Sequence, residues 1–407
     1  KTGAHKLHES FSDDGIHWTR PNLGLVEYPE GSGNKNNNIV IGKVKEAWMG
    51  QAEPDAAHPA VFKDLNPDCP PDARYKAVLR SQGEEGLLIL KSPDGFHWSM
   101  LSESPVITDG KFDSQNLAFW DPVRNEYRAY WRIFPNEIRS IRTAHSKDMI
   151  TWTNQADLEF PGVSPEQLYT NQIQPYYRAP HLFIGFPARY IDRGWSQSME
   201  SLPELKHRKL RSSISERYGT AISESLFMSS RDATTFKRWP EAFLRPGIER
   251  QNQWKYGDNY LAWQLVETAS SMQGAPDEIS LYATESYWTG ASNQLRRYTL
   301  RLDGFVSASA AMSGGSFTTK PITFDGNELV LNFSSSAAGG IEIEIRNEIG
   351  QAMPGYAADD CVEVFGDAID RPVHWKSKGS DLSELRGKVV QLHIRLRDAD
   401  LFAFQFR

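Results

Sequence analysis

The chain has few of the residues that cross-link small folds or hold structural metals. It contains two cysteines, Cys69 and Cys361, in 407 residues, which predicts neither a disulfide framework nor a zinc site. No run of about 18 consecutive apolar residues occurs, so no membrane span is expected. The sequence also lacks a phosphate-binding glycine loop, a calcium loop and a Ser–His–Asp pattern. We therefore expect no metal and no cofactor.

The chain is mildly acidic and has no extended basic stripe. The formal net charge is −7, and 24% of the residues are charged. The absence of a basic stripe argues against nucleic acid as the main partner. The hydrophobic content of 39% is ordinary for a globular protein.

Tryptophan, in contrast, is abundant, with 12 residues, and it marks a recurring phrase. The phrase joins a small polar residue, an acid, a turn and a tryptophan. It reads SDDGIHW to Trp18, SPDGFHW to Trp98, SKDMITW to Trp152 and SRDATTFKRW to Trp239, with a weaker echo ending at Trp288. Self-similarity at this period predicts a repeat architecture, and four short strands per unit form a propeller blade.

The acids of these phrases follow alternating apolar strands. A turn between two strands favours Asp at this position because its side chain bonds to nearby backbone amides. We therefore predict that Asp14, Asp94, Asp148 and Asp232 are turn residues and not catalytic residues.

Polar phrases containing Asn38, Asn116, Asn171 and Asn259 precede apolar strands and predict where each innermost strand begins. The chain starts within a repeat, so we expect the inner strands of the first blade to precede Lys1. The expected blades end near residue 20 and then span about 36–100, 113–153, 168–240 and 254–290.

Two further segments differ from the blades. The connection from Tyr190 to about Ser223 contains KHRKLRSS, and its length favours a lid over the site, the alternative being a solvated mobile loop. From residue 301 to residue 407, short alternating strands predict a β-sandwich with an accessory role. The sequence thus predicts an all-β protein, with a five-bladed propeller in residues 1–300.

The blade phrases and the trailing sandwich resemble the five-bladed propeller glycosidases, the superfamily of glycoside hydrolase families 32, 43, 62, 68 and 130. The signatures W-M-N-D-P-N-G and R-D-P do not occur, so the exact family stays open. The resemblance implies a carbohydrate substrate, with furanosides favoured. It also implies an extracellular or periplasmic protein.

In the superfamily, acids at the starts of innermost strands of the first, third and fourth blades act as base or nucleophile, transition-state stabiliser and general acid. The third-blade position matches Asp113, and the fourth-blade position matches Glu166, with Glu224 as a rival. Asp258 begins the fifth inner strand and is a further candidate. A first-blade acid would precede Lys1.

Other residues of these segments suit a sugar site. Amides bind hydroxyl groups, arginines bind carboxylates, and tyrosine rings stack on sugar faces. The candidates for substrate binding are Gln115, Asn116, Arg132, Tyr169, Asn171, Gln172, Arg178, Arg189, Tyr256 and Asn259.

Three functions remain open. The first is an exo-acting glycoside hydrolase on a plant, algal or microbial polysaccharide, with retention or inversion set by the separation of its two carboxylates. The second is a glycoside phosphorylase, for which Arg132, Arg178, Arg189 and the KHRK segment would supply the phosphate site. The third is a glycan-binding propeller without catalysis.

Overall fold

A computed structural model describes residues 6–42, 49, 53–288 and 293–407. The chain is mostly β, with 42% of its residues in strands and 8% in helices. It divides into two compact units. The first unit comprises residues 1–266 and 280–298, and the second comprises residues 267–279 and 299–407.

The first unit begins with a two-stranded sheet and continues with two four-stranded antiparallel sheets. In the four-stranded sheets each strand pairs with the next along the chain, which is the meander expected of propeller blades. All eight residues of the second strand of the third sheet are buried. The strands are β1 (Leu7–His8) and β2 (Ile39–Ile41); β3 (Pro54–Lys63), β4 (Tyr75–Ser81), β5 (Leu87–Ser92) and β6 (Ser99–Met100); and β7 (Leu117–Asp121), β8 (Glu126–Ile133), β9 (Ser140–Ser146) and β10 (Trp152–Asp157).

The next four-stranded sheet has the order β11-β12-β15-β16, and a long excursion interrupts it. Within the excursion, β13 and β14 pair with each other, and three short helices lie between them. The elements are β11 (Gln174–Tyr176), β12 (Ala179–Gly185), β13 (Ala188–Asp192), α1 (Gln197–Ser201), α2 (Leu205–Ser212), α3 (Arg217–Thr220), β14 (Ala221–Ser225), β15 (Met228–Ser230) and β16 (Lys237–Arg238). The longest described helix has eight residues, and none of the described helices could span a bilayer.

The second expected blade begins later than the sequence suggested. Asn38 precedes β2, which pairs with β1 and does not belong to the sheet of β3–β6. The first strand of that sheet is β3, with Pro54 and Pro59 in it. Proline weakens a strand prediction because it donates no ladder hydrogen bond, and it is tolerated here because β3 is an edge strand.

The last expected blade is also arranged differently. The strands here are β17 (Val266–Thr268), β18 (Glu278–Glu285) and β19 (Gln294–Arg301). Leu261 pairs with Ala283 of β18, so residues 269–277 connect the first and second strands of this blade. Gln264 has a positive φ of 74°, which interrupts the first strand.

The repeated acids lie in turns, as predicted. In each Ser-x-Asp phrase, Oδ1 of the Asp accepts hydrogen bonds of 2.7–2.9 Å from the backbone amides two and three residues later. The Ser hydroxyl two residues earlier donates to the same oxygen. The prediction that Asp14, Asp94, Asp148 and Asp232 are turn residues is therefore confirmed.

The largest apolar cluster of the first unit joins residues of the three four-stranded sheets. Trp131 and Tyr130 are fully buried at its centre, with Phe119 and Phe183 against Tyr130 at ring separations of 6.0 and 6.4 Å. Burial of such large rings dominates the stability of a core. The ends of the innermost strands are thereby held on a rigid base.

The second unit contains one five-stranded antiparallel sheet with two long strands. The apolar segments ELVLNFSS and GIEIEIRN form a single strand, as do VVQLHIRL and LFAFQF. Register shifts at Asn332/Phe333 and Ser335/Gly340 bend the first of these strands. The strands are β20 (Ala308–Ala310), β21 (Gly315–Thr318), β22 (Leu329–Arg346), β23 (Asp367–Pro372) and β24 (Gln391–Phe406).

Candidate functional site

A chain of hydrogen bonds joins the inner segments of four successive sheets. Nε2 of Gln172 donates to Oε1 of Gln115 at 2.9 Å and to the carbonyl of Leu261 at 2.6 Å. Nε2 of Gln115 donates to the carbonyl of Pro59, in the middle of β3, at 2.8 Å. The two glutamines, each two residues before an inner strand, therefore connect four segments that are distant in sequence.

The three predicted asparagines near these strand starts are buried and bond to the backbone. Nδ2 of Asn116 donates to the carbonyls of Phe112 and Ser114. Oδ1 of Asn171 accepts from the amide of Ile173, and Nδ2 of Asn259 donates to the carbonyl of Ser223. These contacts give the asparagines a structural role that the sequence could not distinguish from sugar binding.

Asp113 is an exposed carboxylate anchored to a buried arginine. Its side chain is 59% exposed and forms an ion pair with Arg132, whose side chain is 7% exposed. The guanidinium of Arg132 lies over the ring of Tyr169, 5.2 Å from its centroid. Burial lowers the pKa of Arg132, and the like charge of Arg139 acts in the same direction. Arg132 thus contacts a carboxylate on one side and an aromatic ring on the other.

Tyr169 belongs to a group of packed aromatic rings, which we call the tyrosine cluster. Tyr256 lies at its centre and donates a hydrogen bond from its hydroxyl to that of Tyr169 at 2.8 Å. The neighbouring ring centroids are 5.0–6.1 Å apart, and the cluster consists of Tyr169, Tyr190, Tyr218, Tyr256, Tyr260, Tyr287 and Trp288. Burial raises the pKa of Tyr256, so its hydroxyl stays protonated. The sequence analysis identified Tyr169 and Tyr256 but missed the other members.

Glu166 and Glu224 are brought together by one arginine. Arg189 in β13 pairs in register with Glu224 in β14, and its Nε and Nη2 donate to Oε1 of Glu224 at 2.9 and 2.5 Å. Its Nη1 donates to Oε1 of Glu166 at 2.9 Å, and Glu166 also forms an ion pair with Arg238. Glu166 therefore contacts two guanidinium groups, whereas Glu224 contacts one.

Asp258 is fully buried and holds a turn. Its carboxylate accepts hydrogen bonds from the amides of Lys255 at 3.2 Å and Tyr287 at 3.0 Å. Burial raises the pKa of Asp258 to about 6, although these bonds and the charges of Lys255 and Arg211 oppose the rise. Asp258 has no exposed surface. It therefore supports the tyrosine cluster through its hydrogen bond from the amide of Tyr287.

Arg178 lies away from the other candidates. It is exposed in the turn that joins β11 to β12, at the end of the sheet opposite to Asn171. Because strands β11 and β12 are antiparallel, this turn cannot share an edge with the starts of the inner strands. The structure therefore places Arg178 apart from the other candidates, and its role in substrate binding stays a prediction.

The long excursion is a docked helical insertion. On α2, the guanidinium of Arg208 donates to the carbonyls of Pro203, Gln253 and Trp254 at 2.7–3.1 Å. Glu204 forms an ion pair with the buried Lys255 at 2.6 Å. The spacing of Arg208 and Arg211 places them on one helix face. This spacing in the KHRKLRSS segment is the signal that would have identified both as buried residues of the helix.

Among the described residues, no group of three or more His, Cys, Asp or Glu side chains is arranged to hold a metal ion. Residues 1–5, 43–48, 50–52 and 289–292 are not described, so this statement does not extend to them.

No protein-family model and no curated protein matches the chain. Several solved structures are similar to it. An N-acetylgalactosamine deacetylase from F. plautii, in complex with blood group B trisaccharide, has 13% identity and a TM-score of 0.38, over 87% of this chain and 93% of that chain. An endo-arabinase from Bacteroides thetaiotaomicron has 10% identity and a TM-score of 0.41, over 66% and 83%. A thermostable family-43 glycoside hydrolase has 11% identity and a TM-score of 0.41, over 72% and 80%.

Propeller glycosidases, the superfamily that the repeated phrases resemble, are thus among the structures similar to this chain. At TM-scores below 0.5, these likenesses carry no argument about its activity.

Proposed function

We propose that the chain is a glycoside hydrolase, with its sugar site beside Asp113, Arg132 and the tyrosine cluster, and with Glu166 and Glu224 as its further candidate acids. The observation that carries this proposal is the contact between Asp113, Arg132 and Tyr169. It provides an exposed carboxylate in a fixed position beside an aromatic ring. A sugar could contact the edge of this ring while its reacting carbon faces the acid.

The roles of the acids follow from their partners. Asp113 suits stabilisation of the positively charged transition state, because it is exposed and its position is held by Arg132. Glu224 suits the general acid better than Glu166, because it faces one guanidinium and Glu166 faces two. A general acid must hold a proton, and each nearby cation opposes that.

The architecture proposed for this function is a five-bladed propeller in residues 1–300 and an accessory β-sandwich in residues 301–407. The successive four-stranded antiparallel sheets with Ser-x-Asp turns support the first part. The bent long strands support the second, because bulges let strands pass between two layers. The proposed substrate is a plant, algal or microbial polysaccharide, cleaved by an exo-acting, extracellular or periplasmic enzyme, with furanosides favoured.

A second candidate is a glycan-binding propeller without catalysis. One specific observation favours it: all four candidate acids are already engaged. Asp113, Glu166 and Glu224 are in ion pairs with arginines, and Asp258 bonds to two backbone amides. Acids with these partners are also what a rigid binding surface would require.

Single-residue variants distinguish the two candidates. Sugar release from a panel of aryl glycosides and polysaccharides would be compared for the wild type, Asp113→Asn, Glu166→Gln and Glu224→Gln. If Glu224 is the general acid, Glu224→Gln lowers kcat by about 100-fold or more on substrates with poor leaving groups. The exposed Glu103→Gln is the matched control and keeps full activity. Release that is unchanged in Asp113→Asn and Glu224→Gln would contradict the assigned roles.

A further inference from the structure

A buried arginine of the helical insertion has hydrogen-bond donors without acceptors. Arg211 on α2 is 9% exposed, and neither its Nε nor its Nη2 has a partner among the described residues. Its guanidinium lies over Trp288, 5.2 Å from the ring centroid. Nε and Nη2 form one edge of the guanidinium fork, and that edge matches the two oxygens of a carboxylate or a phosphate.

The same edge is occupied elsewhere in this protein. Nε and Nη2 of Arg189 both donate to Glu224. Arg211 is buried to a similar degree but lacks such a carboxylate. The nearest acid, Asp258, attracts Arg211 electrostatically, yet its hydrogen bonds go to the amides of Lys255 and Tyr287.

Further arginines around the tyrosine cluster share this condition. Nε of Arg132, Nε of Arg139 and Nη1 of Arg217 are buried and have no hydrogen-bond partner among the described residues. Arg132 and Arg139 both lie over Tyr169, at 5.2 Å, and Arg217 lies over Tyr218 at 4.7 Å. The cluster is therefore lined by several cations and by fewer carboxylates.

Buried donors of a charged group are costly when they are left unbonded. An anionic ligand at the cluster would supply the missing acceptors, and the aromatic rings would contact its apolar faces. Trp288 is 47% exposed, so the cluster reaches the surface beside Arg211, whose Nε and Nη2 atoms are themselves closed to solvent.

We propose that the tyrosine cluster binds an oxyanion through the free edge of Arg211. The oxyanion is either the carboxylate of a uronic acid residue in a glycan or free phosphate, since both present oxygens at the spacing of this edge. If the oxyanion is a uronic acid of a glycan, the inference rests on the proposed function, because the glycan is then the substrate of the proposed hydrolase. It makes the substrate acidic and not neutral.

Calorimetric titration tests the proposal on the full chain. Three ligands are compared: trigalacturonate, the neutral galactotriose of the same length, and inorganic phosphate. We expect the wild type to bind trigalacturonate at least about tenfold more tightly than galactotriose. A tenfold ratio of the two Kd values corresponds to about 1.4 kcal/mol of binding free energy. This is close to the smallest contribution expected of a hydrogen bond to a charged group.

Variants assign the effect to Arg211. Arg211→Met should weaken binding of the acidic ligand at least about tenfold and leave binding of the neutral ligand unchanged. Lys147→Met removes the same charge from an exposed turn of another sheet and should change neither. Arg211→Lys keeps the charge without the fork and serves if Arg211→Met does not fold. The comparison of ligands on the wild type needs no variant.

The outcomes separate the two sources and the two proposals. Arg211-dependent binding of trigalacturonate supports an acidic glycan, and Arg211-dependent binding of phosphate alone supports free phosphate. Equal binding of the acidic and neutral sugars, unaffected by Arg211→Met, overturns this inference but leaves the proposed function standing. Binding of none of the three ligands overturns the inference, and sugar release from other glycans then decides the proposed function separately.

Discussion

The buried carboxyl of Asp258 should make the stability of the protein depend on pH in an unusual direction. Its pKa rises from the ordinary 3.8 to about 6 in the folded protein because burial disfavours the charge. Since one pH unit corresponds to about 1.4 kcal/mol, the shift is equivalent to about 3 kcal/mol. The folded state binds this proton more tightly than the unfolded state does. The stabilisation is therefore present below about pH 4 and is lost as the pH rises through about 6.

Asp258→Asn removes the titrating group and tests this reasoning. Urea unfolding followed by tryptophan fluorescence at pH 4, 5, 6 and 7 gives the free energy of unfolding of both proteins. The wild-type value minus the variant value should fall by up to about 3 kcal/mol between pH 4 and pH 7. Asp148→Asn is the control, and for it the wild-type value minus the variant value should rise with pH instead of falling. Burial raises the pKa of Asp148, but bonds from the amides of Thr151 and Ile150 lower it overall. A constant difference for Asp258→Asn would refute the account.

Two further predictions concern the support of the tyrosine cluster. In Gly257→Ala, with a φ of 88°, the new Cβ would stand 2.2 Å from Cδ1 of Tyr287. We expect a loss of about 2 kcal/mol or more in thermal or urea unfolding. Gly247→Ala has a similar φ of 78° but open space and should lose about 1–2 kcal/mol; equal losses would contradict a steric cause. Arg208→Met should raise the amide hydrogen exchange of residues 250–257, because Arg208 binds the carbonyls of Gln253 and Trp254 in this segment. Unchanged exchange would show that the insertion is held in other ways.

Local turn chemistry was the part of the fold that the sequence predicted best. The Ser-x-Asp phrases need only residues two or three positions apart to form their hydrogen bonds. Such short-range contacts are encoded locally and do not depend on the rest of the chain. The polar turns and the alternating strands before them therefore appear in the structure where the phrases indicated.

Strand membership in the second and last blades was harder to predict. The two prolines of β3 conceal an edge strand, and the positive φ of Gln264 divides one strand into two apolar pieces. The prolines are tolerated because β3 is an edge strand, and the interrupted strand is recognised by the pairing of Leu261 with Ala283. Periodicity along the sequence contains no information about that pairing.

The candidate site was predicted in part for the same reason. Glu166 and Glu224 are 58 positions apart. The pairing of β13 with β14 brings Glu224 to Arg189, and the bridge between Leu168 and Arg189 brings Glu166 to it. The helical insertion supplies Arg211 and Tyr218. Nothing in the sequence around these residues indicates that they pack near Tyr256. The sequence indicated which end of the strands to examine but not which long-range partners would be found there.

The most direct test of the proposed function is sugar release by the wild-type protein. Polysaccharides and aryl glycosides, both neutral and acidic, would be incubated with it and the products followed by proton nuclear magnetic resonance. The account predicts release of a single small sugar from chain ends, with the first-formed anomer reporting retention or inversion. Binding of a glycan without release from any substrate would contradict hydrolysis and leave the glycan-binding candidate.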